Sequence, residues 1–587
     1  LLRRSCFKSN QFTARAVYPG LEAVISMRIR HIPLFLLLTF SLFNYNFTLQ
    51  AQEARPGKWL VRFTDKSNSP YSIHEPAKYL SARSIERRQR MGIPIVENDL
   101  PVNPGYIQGL EQAGAKLHNK SKWLNAATVI ADSAAVRRMR ELPFVRSVQY
   151  VARDISIKNP ANHPPKKRVY GTEYTKETDH PFGYSIRQQG MLGMPMPYMA
   201  GARGEGIWIA VMDGGFINAD SMPFFDSLAI KGKLIEGWDF VERDRAVFES
   251  ASHGTSVLSV MGANMPGYFL GTAPEAHYFL LKTEDTGGEY PVEECNWIAG
   301  AEWADSIGVD VINASLGYTI FNDPKLGHRY EELDGKSTIG AEGAGIAATK
   351  GMIICNSAGN SGDEPWKYVG VPADAPGIIA VGASSPDMQR ASFSSVGPTA
   401  DGRIKPDLMA PGEMVVTAGY SGSDLGFSNG TSLASPLLAG AIASLWSDYP
   451  DKSDQEILDV VFKYADHPMP DTAYGYGMPN MTISWLDLGG YGTADYVNHA
   501  SDAACFSMKP ARGDLALLFL TTPEEQPQSF RIRNLKTGTW TTLSFQTESF
   551  EFPQYFLSSP LPLQPGSYQL QMLGEHSCVN LWVIKTE

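Results

Sequence analysis

Between about residues 190 and 487, short continuous apolar runs alternate with stretches of helical spacing. The runs are IWIAV before Asp213, HYFLLK from His277, VDVINAS from Val309, MIIC from Met352 and GIIAVGA from Gly377. Runs without polar alternation suit strands buried on both faces, the condition of a parallel sheet. Helices are predicted after His253, around Trp297 to Trp303, and from about Ser432 to Trp446, and they would cover that sheet in an α/β arrangement.

The flanks read differently. Residues 57–155 mix KWLVRF, the basic amphipathic KYLSARSIERRQRMG and AATVIADSAAVRRMRELPFVRSVQYV, which predicts a small α+β unit. The Arg-rich run from Arg83 to Arg90 is expected to be a solvated helix face. The following stretch 156–189, with NPANHPPKKRVYGTEY, is rich in Pro and carries Lys166, Lys167 and Arg168, as an exposed linker open to proteolysis would. Beyond 488 the runs LALLFL, SFRIRN, TWTTLSF, SYQLQM and VNLWVIK are separated by Pro and Gly, so a β-sandwich-like module is expected over 488–587.

The bulk properties narrow the class. At 587 residues the chain exceeds one hydrophobic core, so several folding units are expected. The net charge of -11 argues against nucleic acid as a partner, because phosphates must be met by clustered Lys and Arg. From Met27 the chain reads MRIRHIPLFLLLTFSLFNYNFTLQAQEA, with Arg28 and Arg30 ahead of an apolar run from Ile32 to Phe43. That is the layout of a secretory signal over 27–51, and its apolar part is too short for a stable membrane span. Residues 1–26 are expected to be an upstream extension of the reading frame. The chain is thus expected to be secreted or held at the cell surface.

Excluding Cys6, four cysteines remain: Cys295, Cys355, Cys505 and Cys578. In an exported protein Cys505 and Cys578 could staple the C-terminal module, and four unpaired buried thiols are the equal alternative. Cys355 closes an apolar strand, so it is expected to be inert rather than nucleophilic.

The chemistry-bearing residues come next. Asp213 follows IWIAVM directly, at the strand end where open α/β sheets place functional groups; alone, it is equally a helix cap. His253, in SHGTSV, opens a predicted helix whose Val257, Leu258 and Met261 face the core. HGT would arise by chance in roughly one chain in fourteen, so a satisfied core histidine is its plain alternative. Ser432, in NGTSLASP, sits at a helix start, where unpaired N–H groups point at developing negative charge. The pattern GTSxASP would occur by chance on the order of once per hundred thousand such chains. Asn360, in NSAGN, can donate its amide to an oxyanion or merely serve a turn. A nucleophile, a base, an orienting acid and an oxyanion donor are what acyl transfer requires. The lipase and esterase arrangement needs G-x-S-x-G around the nucleophile and the order Ser, acid, His, whereas the chain offers GTSLA around Ser432 and puts that serine last.

VMDGG, SHGTSV, NASLGY, NSAGN and NGTSLASP, in that order, resemble the motifs of the subtilisin-like serine proteases (subtilases), over roughly 190–485. The chain order Asp, His, Ser is likewise that of the family. The resemblance implies a subtilisin-like fold and a serine endopeptidase with Asp213, His253 and Ser432 as its triad and Asn360 in the oxyanion hole. It implies that Ser315, Leu316 and Gly317 take up a peptide as an added strand, though a strand-to-loop turn explains that triplet too. It requires no cofactor; structural calcium is common in relatives, and no metal site is assigned. The partners implied are protein or peptide substrates and the chain's own propeptide, the 57–155 unit, cut between about Val151 and Gly171. Tyr318 and the loop around Gly340 to Gly345 are candidates to shape the substrate pocket. PLQPGSYQLQM and VNLWVIKTE weakly resemble modules read by an outer-membrane secretion machinery.

Overall fold

The apolar runs are adjacent strands of one sheet. In the computed structural model, residues 56–153, 181–419 and 422–489 are described, and beyond them chiefly the strands of the C-terminal module. The expected signal, the upstream extension, most of the linker and the side chains of Cys6, Cys505 and Cys578 lie outside the described residues.

The N-terminal unit is a four-stranded antiparallel sheet of β1 (Gly57–Phe63), β2 (Lys116–Ser121), β3 (Ala126–Ala131) and β4 (Val145–Arg153), in the order β2-β3-β1-β4. Helices α1 (Ala82–Arg90), α2 (Pro104–Gln112) and α3 (Ser133–Arg140) start at Ser81, Asn103 and Asp132. Each of these side chains accepts a backbone N–H that the first turn would otherwise leave unpaired. One side of the sheet packs Val61, Phe63 and Val129 on Leu110, Val136 and Met139.

The second sheet has seven strands: β5 (Trp208–Asp213), β6 (Leu234–Asp239), β7 (His277–Lys282), β8 (Val311–Ala314), β9 (Ile353–Ser357), β10 (Ile379–Ser384) and β11 (Leu408–Pro411). Their order is β11-β10-β9-β8-β5-β7-β6, and every pairing is parallel. Ile209 and Val211 of β5 enter one core, while Ala210 and Met212 enter the other. Two-sided burial is why the run carries no polar alternation. Helices α4 (His253–Gly262) and α7 (Thr431–Asp448) belong to the first core, and α5 (Val292–Ile307) and α6 (Ile339–Ala348) to the second. Strand order reverses at β5, between β7 and β8, which opens a crevice at its C-terminal end.

Strands β6 and β11 were not foreseen. Gly237 interrupts β6 with a register shift, and β11 is four residues ending in Pro411. In the C-terminal module the five expected β runs all lie in strands of one antiparallel sheet. The strand Trp540–Glu548 pairs with Pro527–Asn534 through its first half and with Gln554–Ser558 through its second. A strand shared in this way is how a chain turns the corner between two layers.

The α1 expectation is corrected. Ser84, Arg87 and Arg88 occupy one buried helix face rather than a solvated one. Arg87 and Arg88 meet Asp305 of α5 at 2.7 and 2.9 Å, and Lys122 meets it at 3.0 Å. Arg88 and Lys350 also pair with Asp99, at 3.0 and 2.9 Å. Although burial works against it, Lys122, Arg88 and Arg87 together hold the Asp305 carboxyl below its ordinary range. Next to it, Glu302 accepts Ser121 Oγ at 2.6 Å and the N–H groups of Lys122 and Trp123 at 2.8 and 3.0 Å. Buried charge is tolerated here because each carboxylate is met by cations or donors. The N-terminal unit is thus seated on α5, where Leu60, Trp123 and Val151 share a core with Trp297 and Ala301.

Candidate active site

Asp213 is the last residue of β5 and is buried, so its carboxylate is delivered to the crevice by the sheet itself. Its Oδ1 accepts the Gly214 N–H at 2.8 Å, and its Oδ2 lies 2.8 Å from His253 Nδ1. His253 is the first residue of α4, which seats closely against β5. A methyl group on Gly254 would come within 2.9 Å of Asp213 Cβ and 2.4 Å of the Gly215 carbonyl, so any larger residue would push the imidazole away. The His253 side chain remains 46% exposed, open to a substrate. The Asp213 charge raises its pKa, burial opposes, and the hydrogen bond and Glu284 add to the rise.

Ser432 is the second residue of α7, an almost wholly buried helix. Gly430, at φ 149°, supplies no cap of its own; Asn360 Oδ1 does so from the loop after β9, accepting Thr431 N–H at 2.8 Å and Thr431 Oγ1 at 2.9 Å. That bond turns the Asn360 Nδ2 group the other way. A methyl group on Gly430 would lie 2.8 Å from Ser432 Oγ and 3.5 Å from Asn360 Nδ2, so both atoms border one small space. The serine and the amide are therefore brought together as acyl chemistry would need.

The SLG triplet is tied to the same helix end. Pro436 lies four residues after Ser432 and has no N–H, so the Ser432 carbonyl loses its intrahelical partner. Ser315 Oγ donates to that carbonyl at 2.8 Å, and Ser435 Oγ donates to Asn313 Oδ1 at 2.7 Å. The Leu316 carbonyl is taken by Asn356 Nδ2 and Ser357 Oγ, at 2.9 and 3.0 Å. Gly317 is exposed, and among the described residues neither its N–H nor its C=O is hydrogen bonded. It offers the kind of unpaired edge to which an extended peptide can add.

Two expectations about pocket shape fail. Tyr318 is buried and points at Glu284, 2.8 Å from its Oε1. Gly340 to Gly345 is not a loop but part of α6, where the glycines allow close packing: a methyl group on Gly343 would meet Ile298 Cγ1 at 2.3 Å. Sequence reading also missed Thr431 as the residue that orients Asn360, and the Ser315–Pro436 relation. The Pro four positions after the serine was the available signal. Cys295 and Cys355 are free and buried, and burial pushes the Cys355 thiol well up, so it holds its proton. Among the described residues no group of three or more His, Cys, Asp or Glu side chains could hold a metal ion, and no helix is long and apolar enough to cross a membrane.

A buried parallel sheet whose reversal point presents a carboxylate-bonded imidazole, together with a helix-start serine that borders an amide donor, has the layout of a serine hydrolase. Residues 204–477 match the Subtilase family, and residues 58–167 match the Peptidase S8 propeptide domain of Bacteroidota. The chain is 31% identical over 376 residues to subtilisin NAT of Bacillus subtilis subsp. natto, covering 63% of this chain and 84% of that protein. It is 32% identical over 302 residues to a subtilisin of Bacillus pumilus, covering 51% and 96%. The chain belongs to the subtilase family: it is a serine-type endopeptidase that carries a propeptide domain, acting on protein substrates.

The Ser432 carbonyl gives a direct test of how the helix end is built. In a Ser432→Ala background, which keeps that carbonyl, Ser315→Ala is expected to lower unfolding free energy by about 1–3 kcal/mol by leaving a buried acceptor unpaired. Adding Pro436→Ala, which returns the missing N–H, should recover much of the loss; denaturant titration of the four proteins reads the coupling.

Proposed function

We propose that this endopeptidase is an exported zymogen in which Ser432 is the nucleophile, His253 the general base and acid, and Asp213 the residue that orients and polarises the imidazole. Asn360 Nδ2 and the Ser432 N–H receive the oxyanion, and Ser315, Leu316 and Gly317 hold the substrate backbone. The 2.8 Å contact between Asp213 Oδ2 and His253 Nδ1 carries this reading. It occupies Nδ1 and so leaves Nε2 as the nitrogen that can work on a substrate.

In this scheme the imidazole takes the Ser432 proton as the oxygen attacks the scissile carbonyl. The tetrahedral oxyanion is met by donors already in place, which lowers the barrier because they need no reorganisation. The imidazolium then gives its proton to the leaving amine, an acyl-enzyme remains, and water repeats the sequence with His253 again as base. No cofactor enters any step.

Maturation and export complete the reading. β4 ends at Arg153, at the start of the region from Val151 to Gly171 in which self-cleavage would separate the propeptide. The signal over 27–51 would direct the chain out of the cytoplasm. The module over 488–587 would be read by secretion machinery and leave the protein secreted or at the cell surface.

Labelling by a fluorophosphonate probe is expected in the wild type and absent in Ser432→Ala, which should also accumulate unprocessed; normal maturation of that variant expressed alone would contradict the assignment. Asn360→Ala should label but turn over about 10²–10³-fold more slowly.

Because the base must be neutral and its pKa is raised, the acid limb of kcat/KM is expected above the ordinary 6.5, with activity lost as pH falls through it. Asp213→Asn should move that limb down; a pH profile of both proteins decides it. Removal of residues 490–587 should trap active enzyme inside the cell, and export of the shortened protein would overturn the sorting role.

A further inference from the structure

Glu284 stands just past the end of β7, behind the turn that follows Asp213. Thr283 N–H donates to the Asp213 carbonyl at 3.0 Å, and a methyl group on Gly214 would lie 3.6 Å from Glu284 Cβ. Glu284 Oε1 accepts two hydroxyls, Thr283 Oγ1 and Tyr318 Oη, both at 2.8 Å. Tyr318 in turn is fixed on its backbone, donating to the Val371 carbonyl at 2.7 Å and accepting from the Val371 N–H at 3.0 Å. Gly317, with its unpaired peptide groups, is the residue immediately before it. The segment is thus held upstream by Ser315 on the Ser432 carbonyl and downstream by Tyr318 on Glu284.

We propose that Glu284 is a positioning residue for substrate binding: by gripping the Tyr318 hydroxyl it keeps the open edge at Gly317 in register with the Asp213–His253 pair. This rests on the reading of Ser315 to Gly317 as the segment that receives the peptide. An extended substrate that reaches Gly317 depends on that register; one that ends at the scissile bond does not. Burial pushes the Glu284 pKa up to about 8, so near neutral pH the side chain is largely uncharged. Glutamine then matches it in shape and charge, and its carbonyl can accept the same two hydroxyls.

The test compares two substrates on the matured protein: a peptide with four residues ahead of the scissile bond, and a single-residue ester. With Tyr318→Phe and with Glu284→Ala, KM for the long peptide should rise about five- to tenfold while kcat stays within about twofold, the size expected for losing one buried hydrogen bond. KM for the ester should not follow, and Glu284→Gln should return the long-peptide KM to within about twofold of wild type. Parallel changes for both substrates, a fall in kcat at constant KM, or Glu284→Gln behaving like Glu284→Ala would overturn the proposal. If Glu284→Ala does not mature, Tyr318→Phe, which deletes one oxygen, decides alone. A wild type that shows no dependence on peptide length would instead sink the strand-edge reading itself, and activity persisting in Ser432→Ala would sink the triad.

Discussion

The buried start of α7 is the constraint around which the rest is arranged. A helix begins with N–H groups that have no partner inside it, and burying them unpaired is costly. Here the helix also carries Pro436, which removes the partner of the Ser432 carbonyl. The two deficits are met from two strand ends: Asn360 after β9 takes the Thr431 N–H and Ser315 after β8 fills the Ser432 carbonyl, while Asn313 in β8 accepts the Ser435 hydroxyl. Satisfying the helix end therefore fixes, by the same bonds, Asn360, Ser432 and the segment at Ser315, the residues proposed as oxyanion donor, nucleophile and start of the peptide-binding edge. The proposed catalytic arrangement is in this sense a by-product of a helix terminus that has to be paired.

The propeptide unit solves a different problem. Its seat on α5 combines apolar contact with buried ionisable groups. Asp305 and Glu302 are met by residues of that unit, Arg87, Arg88, Lys122, Ser121 and Trp123. If the unit is cut away as proposed, ionisable groups left behind can be rehydrated, whereas an equal apolar area would remain in contact with water.

What could be read from sequence follows physical rules, and so do the failures. Two-sided burial writes itself as unbroken apolar runs, so β5, β7, β8, β9 and β10 were legible, and GTSLASP is too specific to arise by chance. Arg87 and Arg88 were misread because hydropathy assigns cations to water, and only the position of Asp305, more than two hundred residues away, reverses this. Gly340 and Gly343 were read as loop residues because glycine weakens an isolated helix. Their use is in contact: Gly343 lies against Ile298 of α5 so closely that a Cβ would not fit. Tyr318 directly follows Ser315 to Gly317 in sequence but turns inward, a matter of backbone direction that no local pattern records.

The electrostatics of the site depend on the same local packing. A second ionised carboxylate near His253 would stabilise the imidazolium further and make the base harder to deprotonate, which works against a group that must pick up a proton from serine at neutral pH. Glu284 is close enough to exert this pull when charged. Burial, with the neighbouring Glu289 and Asp213 adding to it, raises the Glu284 pKa to about 8, while the hydroxyls of Thr283 and Tyr318 lower it only in part. Near neutrality Glu284 is therefore largely protonated, and Asp213 is left as the principal charge acting on His253. The carboxyl that pins Tyr318 can thus sit behind Asp213 without competing with it for His253.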